Sequence, residues 1–183
     1  MEFGGDDLPF NQQDKFRLEW EPMMEDGPMS KHDFLTKVYE ARAIYAAALA
    51  RVPAARMEIR QQPGGWSVKD VLAHMVWSER EMIGLLRDHS MESGSDLWIV
   101  AQDERNRQVY EQNKDRPLSE VLAEADHSYA ALVSLIETLN DEDLNDPARF
   151  TGMPADWLPW RVLAGSTYKH YLEHADDLKL FSI

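Results

Sequence analysis

The sequence has no cysteine. That removes disulfides, thiolate metal ligands and a thiol nucleophile together, so any metal site must be built from imidazole and carboxylate. Basic residues are also scarce. Nineteen Lys and Arg stand against 33 Asp and Glu, a net charge of -14, where a nucleic-acid reader needs a basic stripe to meet phosphates. DNA and RNA are therefore not expected partners. No apolar run approaches the ~20 residues that cross a bilayer, and no membrane association is expected. The opening MEFGGDDLPF carries acids instead of the basic and apolar regions of a secretory signal, which makes a cytoplasmic location the expectation. There is no glycine-rich phosphate loop, no HExxH, no Gly-x-Ser-x-Gly elbow and no coherent serine triad, so these familiar catalytic classes find no support.

What is present reads as helix. The 183 residues suit a single domain, and 44% hydrophobic with 28% charged residues is ordinary for a globular chain. Residues 1–29 hold Phe3, Phe10, Phe16 and Trp20 among Pro9, Pro22 and Pro28, without a sustained helical period; they read as an irregular arm. From residue 30 to 183 the pattern is a bundle domain. Ser30 to Asp33 has the form of a capping box, and Phe34, Val38, Ala41, Ile44, Tyr45, Ala48 and Leu49 follow at helical spacing up to about Pro53.

After the break at Pro63-Gly64-Gly65, Ser67 and Asp70 open a second helix that runs to about Arg87 on Val68, Val71, Leu72, Met75, Val76, Ile83 and Leu86. Residues 96–113 form a weakly amphipathic connector, either one helix or a bent one. A third long helix follows Pro117 and stops near Asn140. A loop with one helical turn near Glu142 to Leu144 leads to a last helix from Trp160 to Phe181. The expectation is an all-α four-helix bundle with an additional helical connector and an irregular N-terminal arm.

Three histidines carry the chemistry. His170 and His174 lie four residues apart, a step of about 6 Å that turns only about 40°, so both rings leave one helix face. That spacing alone does not separate a shared cation from two half-buried histidines. His74 sits among Val71, Leu72, Met75 and Val76 on a helix marked as buried, where its ring nitrogens need partners. It can be a hydrogen-bonded core residue, or facing helices can project all three rings inward, giving three nitrogen ligands and an open fourth position. Thr167, Asp177, Ser78 and Glu81 share the faces of these histidines and are candidates to orient them or move protons; ordinary helix polarity is the competing account. His32, His89 and His127 lack such company. Trp77, Trp98, Trp157 and Tyr171 can wall a cleft or simply fill the core.

The stretch Gly-Trp-Ser-Val-Lys-Asp-Val-Leu-Ala-His74, with Gly-Ser-Thr-Tyr-Lys-His170-Tyr-Leu-Glu-His174, resembles the DinB/YfiT-like helical-bundle superfamily over about residues 30–181. That superfamily has a tryptophan-led start to its second helix, a histidine within it and His-x-x-x-His in its fourth, the three binding a divalent metal. The resemblance thus implies His74, His170 and His174 as ligands, with zinc or nickel the expected ion; separately, a homodimer is the expected form of any assembly, since dimers are the usual closed oligomer. Residues 105–122 are similar to the ClbS/DfsB type and to the amino-terminal domain of mycothiol-dependent maleylpyruvate isomerase.

Two activities are implied, both on a small electrophilic molecule: transfer of a low-molecular-weight thiol of the mycothiol or bacillithiol kind, or hydrolysis. The alternative is non-catalytic binding, sequestration or self-resistance of the ClbS/DfsB type. That branch does not depend on the histidine triad, which argues against importing its activity here.

Overall fold

Two of the long helices begin where a serine side chain takes one of the first free backbone N–H groups. The computed structural model describes residues 27–60 and 65–181, apart from the side chains at 98 and 99. Helix α1 spans Lys31–Leu49, and the Ser30 hydroxyl accepts the Asp33 N–H at 3.0 Å. Helix α2, Val68–Asp88, carries the full capping box: Ser67 accepts from the Asp70 N–H and the Asp70 carboxylate accepts from the Ser67 N–H at 2.9 Å. Helix α2 ends on His89, whose φ of +48° reverses the chain. The connector is bent. A 3-10 turn at Asp96–Ile99 precedes α3, Gln102–Asn113, in which Val109 is the buried residue. Helix α4, Leu118–Thr138, starts one residue after Pro117, so the proline is the cap and not the first helical residue.

The expected turn after Asn140 is α5, Asp141–Asn145. It anchors the start of α1: Asn145 Oδ1 accepts the Met29 N–H at 2.8 Å and its amide donates to the Met29 carbonyl at 2.9 Å. The last helix departs from expectation because it is two. Helix α6, Pro159–Gly165, and α7, Tyr168–Lys179, are separated at Ser166 and Thr167, the latter with φ −126° and ψ −111°. The Thr167 hydroxyl donates back to the Leu163 carbonyl at 2.6 Å, closing the end of α6, while its own carbonyl accepts the Tyr171 N–H and starts α7. Most of the expected arm, residues 1–26, lies outside the described residues, as do Pro63 and Gly64.

The four long segments form two parallel pairs. Helix α2 packs on α4 and α1 on α7. Lys69 reaches the carbonyls of Lys114 and Arg116, whereas Arg80, three turns on, pairs with Glu124; α2 and α4 therefore run the same way, and α3 belongs to the crossover such a pair requires. Along α1, Phe34 meets Tyr168 and Tyr45 meets Tyr171. Tyr39 bonds Glu137 and Arg42 approaches Asp126, so α1 and α4 are antiparallel. Phe34, Tyr45, Met82, Leu132, Ile136, Trp160 and Tyr171 are wholly buried between the pairs, each worth a few kcal/mol of transfer free energy, roughly 1.5–3 for a Leu- or Phe-sized side chain. Ile44, counted on the apolar stripe, is instead 51% exposed.

The loop after α2 lies close on that helix. A Cβ at Gly84 would meet the Ser93 carbonyl oxygen at 2.9 Å, and Glu81 accepts the Ser95 N–H at 2.7 Å. Among the described residues the chain forms no strand, only an isolated bridge between Ser90 and Thr151. No described helix is long and apolar enough to cross a membrane.

Candidate metal centre

Helix α2 places His74 about two turns above its capped start, and the break at Thr167 lets α7 present His170 and His174 from its first two turns. The structure brings the three rings together. His170 Nε2 lies 3.0 Å from His74 Nε2 and 3.0 Å from His174 Nε2. The His74 ring stands nearly perpendicular to both others, at 86° and 82°. One ligand nitrogen from each residue falls within 4.8 Å of the others, and no further His, Asp or Glu among the described residues joins the group.

Protein contacts alone do not satisfy this arrangement. His174 Nδ1 lies 2.8 Å from Asp177 Oδ2, which assigns the ring proton to Nδ1 and leaves Nε2 a bare lone pair. His170 Nε2 then faces two nitrogens, and one proton can bridge only one of those gaps. A single cation between the rings satisfies all three. Two nitrogens held at 2.0–2.1 Å by a tetrahedral zinc sit about 3.3 Å apart, within a few tenths of the spacing here. The Nδ1 atoms of His74 and His170 have no hydrogen-bond partner among the described residues.

The electrostatics favour the neutral, ligating form of His74 and His170. Burial, then the charges of His174 and Arg105, lowers His74 to about 3. Burial, followed by the other two histidines and Arg105, holds His170 well below the usual imidazole range. The hydrogen bond to His174 lowers the Asp177 carboxyl. Two tryptophans border His74: Trp66 at a ring separation of 5.1 Å and Trp77 stacked at 6.1 Å and 27°.

Of the residues suggested to assist the histidines, Asp177 does so. Thr167 does not, because it is fully buried and bonds a carbonyl of its own chain turn. Ser78 and Glu81 are buried but stand outside the histidine group. His32, His89 and His127 are exposed and apart from it. Among the proposed cleft aromatics, Trp77 borders His74 and Trp157 is partly buried against the core, whereas Tyr171 is wholly buried core; the side chain of Trp98 is outside the described residues.

Two residues escaped the sequence reading. Glu79 is 1% exposed and accepts from the hydroxyls of Tyr171, at 2.7 Å, and Ser128. A signal existed, since Glu79 falls three residues from both Val76 and Met82 on the buried stripe of α2. Arg105, on the weakly patterned connector, carries its guanidinium over the Trp77 ring at 5.5 Å; nothing in its local sequence marks it.

Fold and site together define a helical bundle with a three-histidine centre between its second and last helices. The chain belongs to the DinB superfamily, whose family model matches residues 37–177. It is similar in structure to a protein from Streptococcus pneumoniae, with a TM-score of 0.72 and 14% identity, covering 87% of this chain and 93% of that one. It is also similar to an uncharacterised protein from Escherichia coli UTI89, with a TM-score of 0.65 and 14% identity over 84% and 93%. At that identity the likeness shows the fold alone. No curated protein sequence matches the chain.

Proposed function

We propose that the chain is a divalent-metal-dependent enzyme acting on a small electrophilic molecule, by transfer of a low-molecular-weight thiol or by hydrolysis. The observation that carries this reading is the convergence of three imidazole nitrogens with no fourth protein ligand beside them among the described residues. Structural sites close their coordination, whereas catalytic ones keep a position for water or substrate. A divalent ion there supplies Lewis-acid chemistry, lowering the pKa of a thiol or water so that a nucleophile exists at neutral pH. His74, His170 and His174 would hold it, with zinc or nickel the ions favoured by imidazole. Asp177 fixes the tautomer and orientation of His174, and the buried setting limits competing water. With no cysteine in the chain, any thiol must come from a cosubstrate.

The test is elemental analysis of untagged protein purified without chelator, beside His74→Ala and His170→Ala. About one divalent ion per chain in the parent and little in either variant is expected. The loaded protein is then assayed for thiol conjugation of chlorodinitrobenzene and for nitrophenyl ester hydrolysis. A parent that stays metal-free after exposure to zinc and nickel overturns the reading. The position of Trp66 and Trp77 beside His74 favours a second reading, a small-molecule binding module. That reading predicts a ligand-dependent rise in Tm without turnover.

A further inference from the structure

Trp66 stands immediately before Ser67, the cap of α2, and the Ser67–Asp70 capping box fixes the backbone from which its indole projects. The Lys69 N–H donates to the Met57 carbonyl at 2.9 Å and ties the same turn to the preceding loop. The indole is thereby held 5.1 Å from the His74 ring, centre to centre, at a tilt of 55°. His170 and His174 are buried, whereas His74 and Trp66 both keep partial exposure. The solvent-facing edge of the histidine centre therefore lies where His74 and Trp66 adjoin, and an indole there flanks what approaches the three nitrogens from that side.

We propose that Trp66 makes this centre selective for a planar, conjugated ligand, its indole taking the ring of a molecule whose donor atom meets the ion. The proposal rests on the reading that the triad holds a divalent ion with an open position. A conjugated electrophile has an electron-poor ring and an indole an electron-rich face, so the two stack offset or edge to face with a gain beyond the area they bury. A saturated ring of similar size buries comparable area without that gain. A tryptophan that only shielded His74 would matter to the metal and be indifferent to the body of the ligand.

The test uses the full-length, zinc-loaded chain, with zinc content measured separately and binding followed by isothermal titration. Three hydroxamates share one zinc-binding group and differ in body: acetohydroxamate, cyclohexanecarbohydroxamate and benzohydroxamate. Benzohydroxamate should bind the parent about tenfold more tightly than acetohydroxamate, from the apolar area of its ring, and about threefold more tightly than the cyclohexane compound, from its π face. Trp66→Ala should bring benzohydroxamate to the acetohydroxamate level with zinc content unchanged, and Trp66→Phe, which keeps a ring, should retain part of the preference. The proposal is overturned if the parent binds the cyclohexane compound as tightly as benzohydroxamate, or if the preference survives in Trp66→Ala. It is also overturned if either variant, helical by circular dichroism, has lost its zinc, since Trp66 is then packing for His74. Should Trp66→Ala not fold, an undiminished preference in Trp66→Phe overturns it and a reduced one sustains it. If the parent takes up no zinc, the metal reading fails on that measurement alone. Benzamide and cyclohexanecarboxamide titrated into the zinc-free chain then decide the role of Trp66: a preference for benzamide that disappears in Trp66→Ala sustains it, and no preference overturns it.

Discussion

Two buried polar clusters join α2 to α7, and they are built on opposite terms. In the first, Glu79 receives hydroxyls from Ser128 of α4 and Tyr171 of α7 and lies 3.9 Å from the Arg42 guanidinium of α1. All four long helices thereby meet on one carboxylate whose two oxygens both have partners. Arg42 also covers the rings of Tyr45, Tyr129 and Tyr171, which shields the pair from water. In the second, His74, His170 and His174 turn three nitrogens on one another, while two of their outer Nδ1 atoms have no partner among the described residues. Buried polar groups that satisfy each other hold a fold together; those that do not are places where something else belongs. The Glu79 cluster is thus read as the pin of the bundle, and the histidine cluster as its site.

The sharpest way to break that contrast is to exchange the consequences. Replacing His170 with Ala should weaken zinc binding by well over the about 10–100-fold that an outer partner of a ligand is worth, with helical circular dichroism retained in metal-free protein. Isothermal titration with zinc checks it. Retention of parental affinity would mean that the histidine cluster is another structural pin.

Glu79→Ala should do the reverse. It removes the buried carboxylate beside Arg42, whose side chain is only 14% exposed, and leaves it the exposed Asp126 at 3.8 Å; breaking a buried pair typically costs about 3–5 kcal/mol, and the remaining partner puts the loss at the lower end. Urea denaturation should show that loss while zinc stoichiometry in the folded variant stays at the parental value. The pH dependence has a definite sign. Burial raises the Glu79 carboxyl, opposed by its hydrogen bonds to Ser128 and Tyr171 and by Arg42. Its folded value thus lies above its unfolded one, and the unfolded state releases the proton first. The contribution of Glu79 is fully present below the usual carboxylate range and declines as pH rises through it toward the raised value. The stability of the parent relative to Glu79→Gln should fall across that window, and a flat difference curve would contradict the assignment.

These two clusters were unequally legible. The triad could be read because each histidine announces itself locally: an i, i+4 pair on one helix, and a histidine inside an apolar stripe on another. The Ser67–Asp70 capping box was legible for the same reason. Glu79 looked like one of many acids, and its meaning depends on Arg42, Ser128 and Tyr171 arriving from three other helices. The break before α7 was hidden because apolar residues continue through Val162, Leu163, Tyr168 and Tyr171, and Gly165 was the sole local hint. Thr167 takes up the Leu163 carbonyl at the end of α6, a bond that leaves no trace in periodicity. Arg105 depends wholly on where the crossover lays α3 against α2.

A smaller effect tests how the centre is held. Asp177 is the partner that fixes the tautomer of His174, and it stands half-exposed, 51% by side chain. Asp177→Asn keeps the shape but offers a weaker acceptor to the ring N–H. Zinc affinity should fall by about 10–100-fold, less than the loss of a ligand, with denaturant stability of the metal-free chain nearly unchanged. An effect as large as that of His170→Ala would place Asp177 among the ligands.

An effect of similar size is also the finest probe of the contrast, because Tyr171 follows His170 directly in the chain yet belongs to the other cluster. Tyr171→Phe removes one hydroxyl from Glu79 and leaves the ring in the core. Glu79 keeps Ser128 and Arg42, so the loss should be that of one hydrogen bond to a charged group, about 1.5–3 kcal/mol, read by urea denaturation. Zinc affinity should not move. If it falls together with stability, α7 transmits the state of the pin to the site one residue away, and the two clusters are a single unit despite their opposite chemistry.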